Sequence, residues 1–118
     1  KLIETRAIDI LQPDVTWCGG LTELLRISSM AAAYDIPVVP HGSGAYSYHF
    51  VISQPHCPFC EYLNTSPDCL SFPSVFGNLF ENEILPVNGK IKLNNKPGFG
   101  MKLNRKDLNL NRVFPSNE

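Results

Sequence analysis

Two short apolar runs with an amphipathic stretch between them constrain this chain more than any other feature. Ala7 to Leu11 is closed by Gln12-Pro13-Asp14, the pattern of a strand running into a turn. Beyond Gly19 and Gly20, the residues Leu21, Leu24, Ile27, Ala31 and Tyr34 recur at three- and four-residue steps, and Leu25 and Met30 widen the stripe. That spacing predicts a helix over 21–34, stopped by Asp35 and Pro37. Pro37-Val38-Val39-Pro40 is a second short strand, expected to pair through Val38 and Val39 only, because proline has no N–H to donate. Strand, helix and strand in that order imply a right-handed parallel unit. Asp14 and His41, each just past one of the strands, then leave the sheet at the same edge.

The alternation continues for one more step. Ala45 to Ser53 is expected as a short helix with Tyr46, His49, Phe50 and Ile52 on adjoining faces, ended by Pro55 and Pro58. Phe59 to Leu63 is a third short strand carrying Glu61. Upstream, Lys1 to Arg6 reads as the tail of a helix. After Asn64 the periodicity fades and proline and asparagine multiply. Within Glu83 to Leu93, Asn88-Gly89 stands between two apolar stretches, a hairpin signal. Lys96 to Gly100 is rich in turn residues, and the last dozen residues are polar and expected to be loosely held.

Three parallel strands leave both sheet edges unpaired and two faces to cover, so the simplest completion places further strands upstream. The fold class expected is α/β: the C-terminal part of a (β/α) TIM-type barrel, comprising its last three strands, plus an irregular C-terminal tail with a hairpin. Residues 1–63 would be the last βα units and residues 64–118 an extension packing back on them. The opening Lys1-Leu2-Ile3-Glu4 resembles neither a natural start nor a signal peptide, and is read as a cut.

Composition narrows the function classes. The 118 residues are 43% hydrophobic and carry a net charge of −1, which suits a globular domain and points to neither nucleic acid nor an anionic membrane surface. No apolar run approaches the roughly 18 residues of a membrane span. The four cysteines do not form a staple pattern and are read as reduced, cytoplasmic thiols.

Asp14, His41 and Glu61 are the candidate site. Each ends a successive strand, at separations suited to a strand-to-strand step through a helix. In (β/α) barrels the mouth formed by those strand ends is where chemistry sits. A histidine can take or give a proton near neutral pH. An aspartate can orient it and stabilise its charged form. A glutamate across the pocket, if protonated or sharing a proton, could hydrogen-bond an anionic substrate group. Singly, each also has a plain reading: a turn cap, a loop histidine and a rim carboxylate.

The wording around these residues resembles a known family. Ile10-Leu11-Gln12-Pro13-Asp14-Val15 with Trp17-Cys18-Gly19-Gly20-Leu21 resembles the sixth-strand region of the enolase superfamily, mandelate racemase subgroup. Val38-Val39-Pro40-His41-Gly42-Ser43 resembles the seventh strand with its histidine, and Phe59-Cys60-Glu61-Tyr62-Leu63 the eighth. Thr65-Ser66-Pro67-Asp68, Pro86 to Gly89 and Lys96 to Gly100 resemble the C-terminal return. Gln12 to Gly20, His41 to Ser43 and Tyr46 to His49 are most similar to the L-rhamnonate dehydratases. The resemblance implies a small-molecule sugar acid as substrate and Mg²⁺ as cofactor. A base would remove the proton alpha to the carboxylate while the metal stabilises the enediolate. It implies His41 as that base, Asp14 as its partner, Glu61 as the carboxyl that binds the substrate carboxylate, and a homo-oligomeric parent. The family's Mg²⁺ ligands lie on strands expected upstream of Lys1, as does a capping domain. The resemblance therefore also implies that this stretch alone is inactive. The alternatives are a non-catalytic truncated barrel fragment or assembly module, or another acid-sugar dehydratase or racemase of the same superfamily.

Three other signals compete. Cys57-Pro58-Phe59-Cys60 could hold zinc or exchange thiols, but Cys69 stands alone as a further ligand and the motif precedes a strand. Gly19-Gly20 could admit an anion at a helix start, or simply make a tight turn. His49 and His56 are read as a loop-packing and a surface histidine.

Overall fold

Residues 1–42 and 44–106 are described by the structure, a computed structural model of the chain. Its organising unit is the expected one: two parallel segments joined by a helix. Leu11 pairs with Val38 and Asp14 with His41, both parallel and in one register. The connecting bonds are Leu11 N–H to Pro37 O at 3.0 Å, Val39 N–H to Leu11 O at 3.0 Å and His41 N–H to Pro13 O at 3.1 Å. Pairing therefore runs past Val38 and Val39 to His41, further than the prolines suggested. The reason is that Pro13 and Pro37 serve as acceptors, a role that needs no N–H.

The helix between them, α1, spans Leu21–Ala32. Its buried face is Leu24, Ser28 and Ala31. Leu25 and Met30, expected to widen the apolar stripe, are exposed. The helix stops before Tyr34 because the chain turns left-handed at Asp35, φ 57°. There Ile36 N–H bonds Ala31 O at 3.0 Å and Asp35 N–H bonds Ala32 O at 3.1 Å, the pair of bonds that satisfies the last carbonyls of a helix. Ile36 thereby lands on Ala31 in the core and the chain is aimed into Val38. That core consists of Ile3, Val15, Leu24, Ala31, Ile36, Val38 and Phe50. Fully burying a Leu or Val side chain is worth about 1.5–3 kcal/mol, and Leu24 and Val38 are both wholly out of water.

Residues 2–6 form one turn rather than a helix tail, closed by Ala7 N–H to Leu2 O and Arg6 N–H to Ile3 O, at 3.1 Å each. The second helix, α2, covers Ala45–Ser53 as expected and buries Ala45, Ser47, Tyr48 and Phe50. Ala45 and Tyr48 join Ile84 in a second, smaller cluster edged by Tyr62, Ile91 and Leu93, which ties the tail to α2.

The third expected strand differs. Phe59 to Leu63 makes no bridge among the described residues. Alternation along a strand sends the N–H groups of residues 39 and 41 toward the first segment and those of 38, 40 and 42 the other way. Val38 N–H goes to His56 O at 3.4 Å, Pro40 has none, and Gly42 N–H goes to the Glu61 side chain at 2.6 Å. The donors a third strand needs are absent or committed. In the tail, Asn88 (φ 51°) and Gly89 (φ 70°) make the two-residue turn between Val87 and Lys90, one antiparallel pair. A further pair joins Phe80 and Leu103. The expectation for the last dozen residues, and for Ser43, falls outside the described residues.

Candidate active site

The parallel register sets Asp14 and His41 side by side at the ends of their segments, on one edge. Their side chains then take different partners. The His41 imidazole meets Glu61, Nδ1 to Oε2 at 2.8 Å. The same Glu61 oxygen accepts the Gly42 N–H at 2.6 Å. One carboxylate oxygen thus holds the ring and the backbone behind it. The pair is open to water, with His41 52% and Glu61 29% exposed, so its attraction is screened and its value lies in placement.

Asp14 turns toward its own loop. Its Oδ1 accepts the Thr16 N–H at 2.7 Å and the Thr16 hydroxyl at 2.6 Å. The expected Asp14–His41 contact is thus backbone adjacency in this structure, and the imidazole's ion-pair partner is Glu61. An aspartate followed two residues later by a threonine is a recognised side-chain-to-backbone pairing, a signal present in the sequence and not used there.

A cavity of about 230 Å³ opens beside these groups, lined by Asp14, Thr16, Trp17, His41, Tyr46 and Phe76 among others. Trp17 stands at its mouth, 88% exposed. Burial, then the negative charges of Asp14 and Glu83, raise the Tyr46 phenol above its ordinary value, so it faces the cavity as a neutral O–H. Val75 and Phe76 come from the irregular tail, where periodicity gives no clue. They are fixed by Glu83, whose carboxylate accepts the Ser74 hydroxyl and, at 3.3 Å, the Val75 N–H.

The competing motifs settle elsewhere. All four cysteines are free, with Cys57 and Cys60 partly buried and their thiols raised by that burial. Among the described residues no three His, Cys, Asp or Glu converge as a metal cage. His56 is no surface histidine, since Nε2 lies 2.8 Å from the buried Ser28 hydroxyl. His49 packs from α2, edge-on to Phe99 with centroids 5.7 Å apart. No helix among the described residues is long and apolar enough to cross a membrane.

The family of enolase C-terminal domain-like sequences matches residues 1–107. The chain belongs to that family. Its fold is accordingly part of a (β/α) barrel, although the described residues hold little regular sheet. Among relatives of this enolase-family chain, the L-rhamnonate dehydratase of Saccharopolyspora erythraea is 48% identical over 103 residues, covering 87% of this chain and 26% of that protein. The crystal structure of L-rhamnonate dehydratase from Gibberella zeae superposes with a TM-score of 0.81 at 57% identity, over 89% of this chain and 27% of that one. A structure of the rhamnonate dehydratase from the same organism complexed with Mg gives 0.77 at 57% identity, with 89% and 26% covered. The chain thus spans about a quarter of the proteins it matches.

Proposed function

We propose that this chain supplies the acid–base side of a sugar-acid dehydratase that acts on L-rhamnonate in the cytoplasm. The observation that carries the reading is His41 held at 2.8 Å by Glu61, beside Asp14, on the edge where the parallel segments end. Identity of 57% to the L-rhamnonate dehydratase from Gibberella zeae over most of the chain supports the choice of substrate. In this reading residues 1–63 are the last βα units of the barrel and 64–118 its returning extension, and the whole protein is a homo-oligomer.

His41 takes the proton alpha to the substrate carboxylate, and the electron pair moves into the carboxylate as an enediolate. The pair then returns to form the C2–C3 double bond as the C3–O bond breaks. The protonated His41 gives its proton to the departing hydroxyl, which leaves as water. The resulting enol becomes 2-keto-3-deoxy-L-rhamnonate. Glu61, sharing a proton, hydrogen-bonds the substrate carboxylate, and Asp14 steadies the imidazolium.

Mg²⁺ enters the reading only from outside this stretch. The donor groups at the site do not fit it: Asp14 Oδ1 is committed to Thr16, Glu61 Oε2 to His41 and Gly42, and no cage forms among the described residues. We place its ligands on strands preceding Lys1, and the isolated chain is accordingly inactive.

The test is a keto-acid assay on L-rhamnonate with Mg²⁺, comparing the full-length protein, its His41→Asn variant and the isolated chain. Turnover by the first alone supports the reading. Turnover by the isolated chain, or undiminished turnover by His41→Asn, refutes it.

A further inference from the structure

Thr16 is exposed, yet its hydroxyl is spent on a neighbouring carboxylate rather than on water. Two bonds converge on the same oxygen, Asp14 Oδ1: the Thr16 N–H at 2.7 Å and the hydroxyl at 2.6 Å. A carboxylate gripped twice at one oxygen has little freedom to rotate, so its two oxygens become distinct. The second, Oδ2, has no hydrogen bond among the described residues. It faces the backbone just after His41, where a Cβ built on Gly42 would lie 3.8 Å away. Gly42 has φ 80°, a conformation that favours glycine, and a Cβ there would only touch Oδ2 at ordinary contact distance.

The turn itself does not need the hydroxyl. Residues 15–19 are closed by backbone bonds, Trp17 N–H and Cys18 N–H to Asp14 O at 3.1 and 2.8 Å and Gly20 N–H to Val15 O at 3.0 Å. The hydroxyl bond is therefore surplus to loop formation and acts on the direction of Asp14 alone.

We propose, building on the dehydratase reading, that Thr16 is a positioning residue for the proton transfer: its hydroxyl fixes Asp14 so that Oδ2 stays aimed at the His41–Gly42 turn. Glu61 holds the imidazole in the structure described here. To engage a substrate carboxylate, Glu61 must carry a proton and donate it, which removes the charge that holds the imidazolium, and the ring then needs a second acceptor. Asp14 Oδ2 is that acceptor only while Oδ1 is held. Groups that orient a reacting residue commonly change rates by 10- to 100-fold when removed (about that range for outer-shell partners in metal enzymes).

The experiment uses the full-length, Mg²⁺-loaded protein with Thr16→Val, Thr16→Ser and Asp14→Asn variants. A panel of sugar acids that includes L-rhamnonate is followed by product formation and by alpha-proton exchange with deuterated solvent. Thr16→Val should lower kcat and alpha-proton exchange about tenfold, leave KM within about twofold, and add little to Asp14→Asn in the double variant. Thr16→Ser, which keeps the hydroxyl, should restore the rate. Thermal unfolding of each variant should be unchanged. An undiminished rate in Thr16→Val, a rate loss matched by lost stability, or additivity with Asp14→Asn overturns the inference and leaves the dehydratase reading intact. Turnover of another sugar acid but not L-rhamnonate removes only the proposed substrate, and the same comparison is then made on that acid. No turnover of any acid by the wild type defeats both.

Discussion

Glu61→Gln separates the two things Glu61 could be doing. The substitution keeps size and shape and removes the charge. Its effect on folding follows from exposure: with His41 half in water and Glu61 29% exposed, an ion pair of this kind contributes about 0–1 kcal/mol. The bond from Gly42 N–H at 2.6 Å survives in part, because the glutamine carbonyl can still accept it. Total loss of stability should therefore stay below about 1.5 kcal/mol. The effect on chemistry is larger. A glutamine keeps an oxygen for the ring and the backbone, but it can neither carry the negative charge that steadies an imidazolium nor share a proton with a substrate carboxylate. A lost charge-placing group of this sort costs on the order of 10²-fold or more in rate. The assay pairs urea unfolding with kcat/KM on L-rhamnonate in the full-length protein. Activity within threefold of wild type would refute the assigned role. A stability loss large enough to explain the whole activity loss would refute the claim that the pair serves placement.

Three further outcomes follow from the packing. Leu24→Ala, at a wholly buried position in the main core, should cost about 2–5 kcal/mol in urea unfolding, whereas Met30→Ala on the exposed face of α1 should cost little. Asp35→Gly should raise stability by up to about 1 kcal/mol, because the left-handed backbone at φ 57° suits glycine; a loss of stability would show that the aspartate side chain contributes more than the strain. Cys57 and Cys60, whose thiols burial raises, should be alkylated more slowly at pH 8 than the exposed Cys69 in the native protein. The sign of the linked stability follows: the two thiols bind protons more tightly folded than unfolded, so their contribution is intact below the ordinary thiol range near about pH 8.5 and is lost as pH rises through the raised folded values. Native-state alkylation across pH 7–10, read by mass spectrometry, checks the order.

Much of the scaffold was legible because it depends on local pattern. The apolar steps from Leu21 to Ala31 mark α1, and the proline-bounded run at Val38-Val39 marks the parallel partner of Leu11. The histidine that sequence reasoning placed at the surface, His56, was illegible because its partner Ser28 lies on another element. Val75 and Phe76 reach the cavity from a stretch with no period at all, held there by Glu83.

Local pattern alone put Asp14 and His41 on one edge, since each closes a strand of the same parallel unit. Which carboxylate holds the imidazole was set by packing between distant elements. Asp14 has a threonine two residues away and is captured by it, while Glu61 is brought within 2.8 Å of His41 by the path of the chain after α2. Spacing along a chain fixes backbone register, but a side-chain hydrogen bond goes to whichever acceptor is nearest in space, and that distance is set by packing.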